Sequence, residues 1–240
     1  MTAIAAMRDA PSAATTRLAA LAHLTSEDRA RIAFAESQRS TIASHRDLVA
    51  NGASIGSARL ILKGWAYTGE ILSDGSRQIA SFVMPGEIVR MGERGRPVAI
   101  ATATSVTEVV MCPLPAADPA DTSSGLAQAC GVSAALEEIY LRRQITRLGR
   151  MSAHERMTDW LLETHDRLAL SGLATQEGFL MPLTQEMLGD ALGLTSVHVN
   201  RTVRALREDG LVTVAGRRVT FRDAERMKRM VGYRSAKVVR

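Results

Sequence analysis

Residues 194–208 read Leu-Thr-Ser-Val-His-Val-Asn-Arg-Thr-Val-Arg-Ala-Leu-Arg-Glu. Val199, Val203 and Leu206 are spaced four and then three apart, so on a helix they share one face and bury it. Val197, Arg201, Arg204 and Glu208, spaced four, three and four, share the opposite face, with Asn200 and Arg207 on its flanks. The chemistry available on that outer face is recognition of nucleic-acid base edges. An arginine bonds guanine bidentately and an asparagine bonds adenine bidentately in the major groove. Thr195 or Ser196 begins the helix, and His198 in its first turn is placed to touch a phosphate. The plainer reading is a helical hairpin with a solvated basic face. Apolar spacing, capping and outward Asn and Arg together favour the recognition helix.

A recognition helix must be held by a partner, and the preceding residues supply one. Thr184 is a good N-cap, its hydroxyl accepting from a free amide of the first turn. Leu188, Ala191 and Leu192 form a buried stripe, and Gly193 sits where the helix must stop, because glycine accepts the left-handed conformation of a helix C-terminus. The turn Gly193-Leu194 then joins two helices in the helix-turn-helix arrangement. After Gly210, residues 211–214 and 219–221 read as two short strands. Residues 215–218 join them, a wing with Arg217 and Arg218 at its tip, able to meet phosphates.

The charge distribution agrees. The 240 residues carry a net charge of +5, but residues 182–240 hold twelve Arg and Lys against six Asp and Glu, while the other 181 hold 18 against 19. A phosphate-binding domain needs such a local excess. With 46% hydrophobic residues the chain can bury a core. No run approaches the roughly 18 apolar residues of a membrane span. Residues 1–16 lack the apolar centre of a signal peptide and read as a frayed tail of a cytoplasmic protein. Cys112 and Cys130 have no Cys or His neighbours at metal-ligand spacing and read as small buried hydrophobes. No Ser/His/Asp constellation, phosphate loop or metal motif argues for an enzyme.

Upstream, residues 17–36 read as short helices, with a cap signal at Thr25-Ser-Glu-Asp28. From Ser37 the pattern is β. Residues 59–67 alternate through Leu60, Leu62 and Trp65. Ser73-Asp-Gly-Ser76 is a hairpin turn, residues 77–83 return, Pro85-Gly86-Glu87 turns again, and residues 98–111 form a long β-rich run. Many short strands at regular spacing imply an antiparallel barrel or roll. The stretch 116–124, with Pro119, is linker-like. Residues 125–150 then form a long helix in which Ala134, Leu141 and Leu148 recur every seven residues, the mark of a two-helix seam. Leu136, Ile139 and Ile145 widen the apolar face beyond what one partner covers. Met151-Ser152 is a hinge candidate, and Ser152 with Glu155 makes a capping box. The helix it opens runs to about Leu170 and buries Trp160, Leu161 and Leu168. Residues 223–231 are a short basic helix.

The stretch from Leu183 into the wing resembles the winged helix of the Crp/Fnr superfamily of bacterial transcription regulators. Gly64-Trp-Ala66, Leu72-Ser-Asp-Gly-Ser-Arg-Gln-Ile79, Ser81-Phe-Val-Met-Pro-Gly-Glu87 and Thr107-Glu-Val109 resemble that superfamily's cyclic-nucleotide-binding β-roll. The resemblance covers most of residues 17–225 and implies an α+β fold: an antiparallel, jelly-roll-like β-roll sensor at 17–120, a dimerisation helix at 121–151, and a winged helix-turn-helix at 152–240. It implies a sequence-specific regulator that binds a palindromic operator on double-stranded DNA as a homodimer and works with RNA polymerase. In members that bind cyclic AMP, a Gly-Glu supplies the ribose ligand and an Arg-Ser/Thr-Ala triplet grips the phosphate. Here Gly86-Glu87 is kept, but Arg96 is followed by Pro97-Val98, and proline removes one amide donor. Glu87 and Arg96 are therefore the remaining effector-site candidates in a degenerate pocket, cyclic nucleotide is not expected, and Glu87 reads better as a turn residue. No cofactor is evident. His23, His45, His154, His165 and His198 form no cluster, which leaves haem, as in carbon-monoxide-sensing relatives, or another effector open. An iron–sulfur sensor would need a cysteine cluster. The usual Glu of the family's recognition helix is Val197 here and the usual Ser or Gly is Asn200, while Arg201 matches. The competing expectation is a ligand sensor whose winged helix contacts protein.

Overall fold

The computed structural model describes residues 11–52, 58–89, 101–116 and 124–236. Two helices open the chain, α1 (Ala13–Leu21) and α2 (Ser26–Ser37). Helix α1 starts before residue 17, so the tail ends earlier than its composition suggested: the Ser12 hydroxyl accepts from the Thr15 amide and caps it. Thr25 and Asp28 form a reciprocal capping box on α2.

Eight strands follow: β1 (Ser40–Ile42), β2 (Asp47–Val49), β3 (Arg59–Lys63), β4 (Ala66–Ile71), β5 (Arg77–Val83), β6 (Ile88–Val89), β7 (Thr102–Ser105) and β8 (Val109–Pro113). They pair into two antiparallel four-stranded sheets, β1-β8-β3-β6 and β2-β7-β4-β5, the jelly-roll arrangement that folds two sheets over one core. Two runs expected as single strands are each divided between the sheets. Residues 59–67 break at Gly64-Trp65, where the Trp65 carbonyl accepts from the Val106 amide at 2.7 Å. The run towards Met111 breaks at residues 106–108, opposite that corner; its beginning, 98–100, lies outside the described residues. Alternation continues through both corners, so sequence periodicity cannot see them. Ile61, Ala66, Val83, Val89, Ala103, Val109 and Met111 fill the space between the sheets.

Helix α3 (Gly125–Arg150) runs as its periodicity requires and ends at Met151. Helix α4 (Ala153–Leu170) begins at the Ser152–Glu155 capping box, the Ser152 amide reaching the Glu155 carboxylate at 2.8 Å. Then come β9 (Ala174–Thr175), β10 (Gly178–Leu180), α5 (Gln185–Leu192), α6 (Ser196–Glu208), β11 (Val212–Ala215), β12 (Arg218–Phe221) and α7 (Ala224–Val231). The sheet has the order β11-β12-β10-β9. The first pair is the expected wing. Strands β9 and β10 were not read from the sequence, because segments of two and three residues carry no period.

One apolar core runs through both halves. Phe82 of the roll meets Trp65 beside it and Trp160 of α4 edge to face, at ring-centre distances of 6.1 and 5.7 Å. It continues through Met157, Leu161 and Leu168 to Leu188, Val199, Leu206 and Leu211.

Candidate nucleic-acid interface

Helix α5 is capped by the Thr184 hydroxyl, which accepts from the Met187 amide at 3.1 Å, and it stops at Gly193 with φ +64°. A residue with a β-carbon at such a φ is strained by about 1–2 kcal/mol. Thr195 caps α6 in turn, accepting from the His198 amide at 3.2 Å. Both hydroxyls hold the ends of the two helices and both side chains lie on the surface.

Helix α6 buries Val199 and Leu206 completely. Val203, expected in the core, is half-buried, and Thr202 is buried instead. A threonine can lie there because its hydroxyl donates to the His198 carbonyl at 2.7 Å, which removes the cost of an unpaired polar group. Ser196, Val197, His198, Asn200, Arg201, Arg204 and Arg207 are exposed. Arg204 pairs with Glu208 at 2.8 Å, a fully exposed pair that a phosphate can displace at little cost. The amides of Ser196 and Val197 lie in the first turn of α6, at the positive end of the helix dipole.

The wing turns at Gly216-Arg217. Arg218 is not on the tip as expected: it is the first residue of β12, opposite Ala215 and flanked by Leu180. Both arginine side chains are exposed.

Three segments clamp α5, and through it α6. Arg77 of β5 pairs with Asp190 at 2.6 Å, and the Gln78 amide donates to the Asp190 carbonyl at 2.9 Å. Gln144 of α3 donates to the Ala191 carbonyl, and Arg156 of α4 donates to the Leu192 carbonyl at 3.0 Å. Orphan carbonyls at the end of α5 are thus satisfied by side chains from the rest of the molecule. None of these supports was read from the sequence. Each joins residues more than 30 positions apart, and no local pattern signals it.

Residues 155–230 match the family model for a Crp-like helix-turn-helix domain. The transcriptional activator protein FnrL of Cereibacter sphaeroides is 30% identical over 165 residues, covering 66% of this chain and 65% of that protein, just under two thirds of its length. The nitrogen fixation regulation protein FixK of Bradyrhizobium diazoefficiens is 29% identical over 170 residues, covering 70% of this chain and 71% of that protein. The fold also matches that of FixK2 from Bradyrhizobium japonicum, with a TM-score of 0.68, 22% identity, 82% of this chain and 98% of that one covered. Over the matched residues the chain is similar to regulators of the Crp/Fnr superfamily.

Set against that superfamily, the candidate effector residues are arranged unexpectedly. Arg96 and the Pro97-Val98 departure lie outside the described residues. Glu87 closes its turn, accepting from the Met84 amide at 3.0 Å, but it is also a buried counter-ion. Its two oxygens meet Arg167 of α4 at 2.7 and 2.9 Å, and Arg17 of α1 lies at 3.4 Å. Burial pushes the Glu87 carboxyl upward, but the Arg167 and Arg17 charges outweigh it and hold the group below its ordinary value. Arg167 also donates to the Phe82 carbonyl at 2.6 Å and lies 4.7 Å from the centre of the Tyr140 ring. Through Glu163 the network reaches Arg147 and Asp159. Glu87, Arg17, Arg167 and Tyr140 line a small solvent-open cleft between roll and α3, and the roll's Gly86-Glu87 carboxylate is already neutralised by an arginine of α4.

Helix α3 presents two apolar faces. Leu126, Ala129, Leu136 and Tyr140 are buried on the chain's own body. Leu141, Ile139 and Ile145 are 41%, 42% and 73% exposed, and Ala134 and Leu148 are half-buried. Among the described residues no three His, Cys, Asp or Glu side chains are grouped to hold a metal. Cys112 is buried, its thiol pushed up to about 11 by burial and then by the Glu36 charge, while Cys130 is half-buried. No helix among the described residues is long and apolar enough to cross a membrane.

Proposed function

We propose that this chain is a sequence-specific, DNA-binding transcription regulator that engages a palindromic operator as a homodimer and acts with RNA polymerase in the cytoplasm. One observation carries the reading: α6 buries one face on a clamped scaffold and offers Asn200, Arg201 and Arg204 on the other. A rigid helix with outward Asn and Arg matches the donor pattern of major-groove base edges. In this reading residues 17–120 form the sensor-derived roll, 121–151 the dimerisation helix and 152–240 the DNA-binding domain. Ala134, Leu141 and Leu148 lie at the seam with a second copy. Exposed Leu141 and Ile145 support this, since apolar side chains in a row along one helix face favour a partner helix.

Arg201, near the start of α6, reads a base. Arg204 and the α6 amides with Ser196 and His198 hold phosphates, and Arg217 and Arg218 of the wing meet the backbone. Thr184 and Thr195 position the helices and reach the backbone at most. Glu87 serves structure rather than an effector. The relatives' names, a transcriptional activator and a nitrogen fixation regulator, support regulation without choosing activation or repression. An electrophoretic shift with promoter fragments, with and without small effectors, tests the reading. Specific retardation is expected without additive, and its absence under all conditions would favour a winged helix that contacts protein.

A further inference from the structure

The outer face of α6 contains one residue that polar recognition does not use. Val197 is 77% exposed, the most exposed large hydrophobic side chain among the described residues. It is the second residue of a capped helix, between exposed Ser196 and exposed His198. Asn200 and Arg201 follow it by three and four positions, which places them as its nearest neighbours on the same face. Val199, two positions on, is fully buried, so the helix already has its core contact in this turn. Val197 adds nothing to that core, and a β-branched side chain lowers helix propensity slightly.

The major groove offers an apolar group at only one kind of base. Thymine presents its C5-methyl, whereas cytosine presents an N4 donor, adenine an acceptor and a donor, and guanine two acceptors. Val197 has no polar atom to meet these donors or acceptors, and covering one leaves it dry and unpaired, a cost that discriminates against the wrong base. We propose that Val197 is a thymine-selecting residue, its isopropyl group packing on the C5-methyl of a thymine beside the base pair read by Arg201. The proposal rests on the DNA-reading function above and adds to it one specified contact. The local charge suits it: Arg201 and Arg204 hold the helix against phosphates and bases, which brings the apolar side chain within contact of the groove floor.

The test begins with an operator selected by the wild-type protein from random duplex DNA. Each thymine of that operator is then replaced singly by deoxyuridine, which deletes the methyl and keeps the pairing. One position per half-site is expected to lose affinity by roughly fourfold, the factor that corresponds to burying one methyl-sized group. Val197→Ala should bind the thymine operator more weakly and show no difference between thymine and uracil at that position. Val197→Glu should change the preferred base there from thymine to cytosine, because a carboxylate accepts from cytosine N4. Arg201→Ala should relax a different base pair and leave the uracil effect in place. The side chain is on the surface, so unchanged thermal unfolding of the variants separates recognition from folding. A clear consensus with no uracil-sensitive position, or with one that persists in Val197→Ala, overturns the proposal and leaves the DNA-reading function standing. A pool that yields no consensus overturns both.

Discussion

Glu87→Gln removes one charge and almost no volume, and it should be among the most destabilising changes available outside the apolar core. Glu87, Glu163 and Asp159 face Arg17, Arg167 and Arg147, and the six residues are each 7% exposed or less. The cluster holds three acids and three arginines, so it is neutral. Exposed ion pairs contribute about 0–1 kcal/mol. Deleting one partner of a buried pair instead leaves an uncompensated charge, at about 3–5 kcal/mol. Arg167 keeps Glu163 at 3.4 Å, but its two contacts shorter than 3 Å with a carboxylate are the ones lost. The lower end, about 3 kcal/mol, is expected because the cleft lets water approach. In urea the unfolding midpoint should fall accordingly with unchanged slope. The pH dependence gives a second reading. A carboxyl held below its ordinary value stabilises the fold above its unfolded value near 4.5, and the contribution is lost as pH falls through the lower folded value. The wild type should therefore lose stability on acidification below about pH 4.5 more steeply than Glu87→Gln, with the gap between them constant from pH 5 to 8. A variant within 1 kcal/mol of wild type at pH 7 would mean that the amide replaces the carboxylate, and would refute the argument from uncompensated charge.

Four further outcomes follow from the same geometry. Arg201→Ala should cost about 1–3 kcal/mol per half-site and relax discrimination at one base pair, whereas Arg217→Ala with Arg218→Ala should weaken all sequences alike and lower the salt slope by about one unit per lost phosphate contact; affinities across single-base operator variants at several salt concentrations separate the two. Leu141→Glu should convert a dimer to monomer in light scattering, since a charge desolvated in the seam costs several kcal/mol, and a monomeric wild type at micromolar concentration would remove the premise. Gly189→Ala should abolish operator binding, because its β-carbon would lie 2.4 Å from the Leu194 carbonyl oxygen and force the turn open at about 1–3 kcal/mol; retained affinity would show that the turn gives way without moving α6. Calorimetry with cyclic AMP should give no binding heat, because the Glu87 carboxylate is already paired; micromolar affinity would show that Arg167 yields to a ligand.

The parts of this molecule that were legible in the sequence are those set by neighbours within one turn of chain. Thr184, Gly193 and Thr195 signal helix ends by local capping, and the 3.6-residue period of Val199 and Leu206 fixes which side of α6 faces the core. The seven-residue recurrence in α3 predicted an apolar stripe. It did not divide that stripe, because Leu136 and Leu141 are equally hydrophobic and only the body packed beneath Leu136 tells them apart. The strands of the roll were recognisable as β, but their corners were not. Trp65 is as apolar as a strand residue should be, and what ends the strand is a carbonyl bond to Val106, 41 positions away. Glu87 shows the same limit at the site. Its turn role follows from Pro85-Gly86, whereas its ion pair requires Arg167, which in the sequence is simply a polar residue on an amphipathic helix.

That long-range contact changes what the roll does for the recognition helix. Arg77 and Gln78 reach α5 from one edge of the roll, and Glu87 reaches α4 from its other end. Trp65, Phe82 and Trp160 fill the space between with rings packed edge to face. Rotation of the DNA-binding half would therefore have to separate a half-buried ion pair at Asp190, break a buried one at Glu87 and expose aromatic area together. Loss of the exposed Arg204–Glu208 pair costs almost nothing by comparison. The groove-reading face is thus free to exchange its partners for DNA, while the elements behind it are held by the groups most expensive to separate. A helix arranged in this way meets the groove in one orientation, which is the condition for discriminating bases rather than merely holding phosphates.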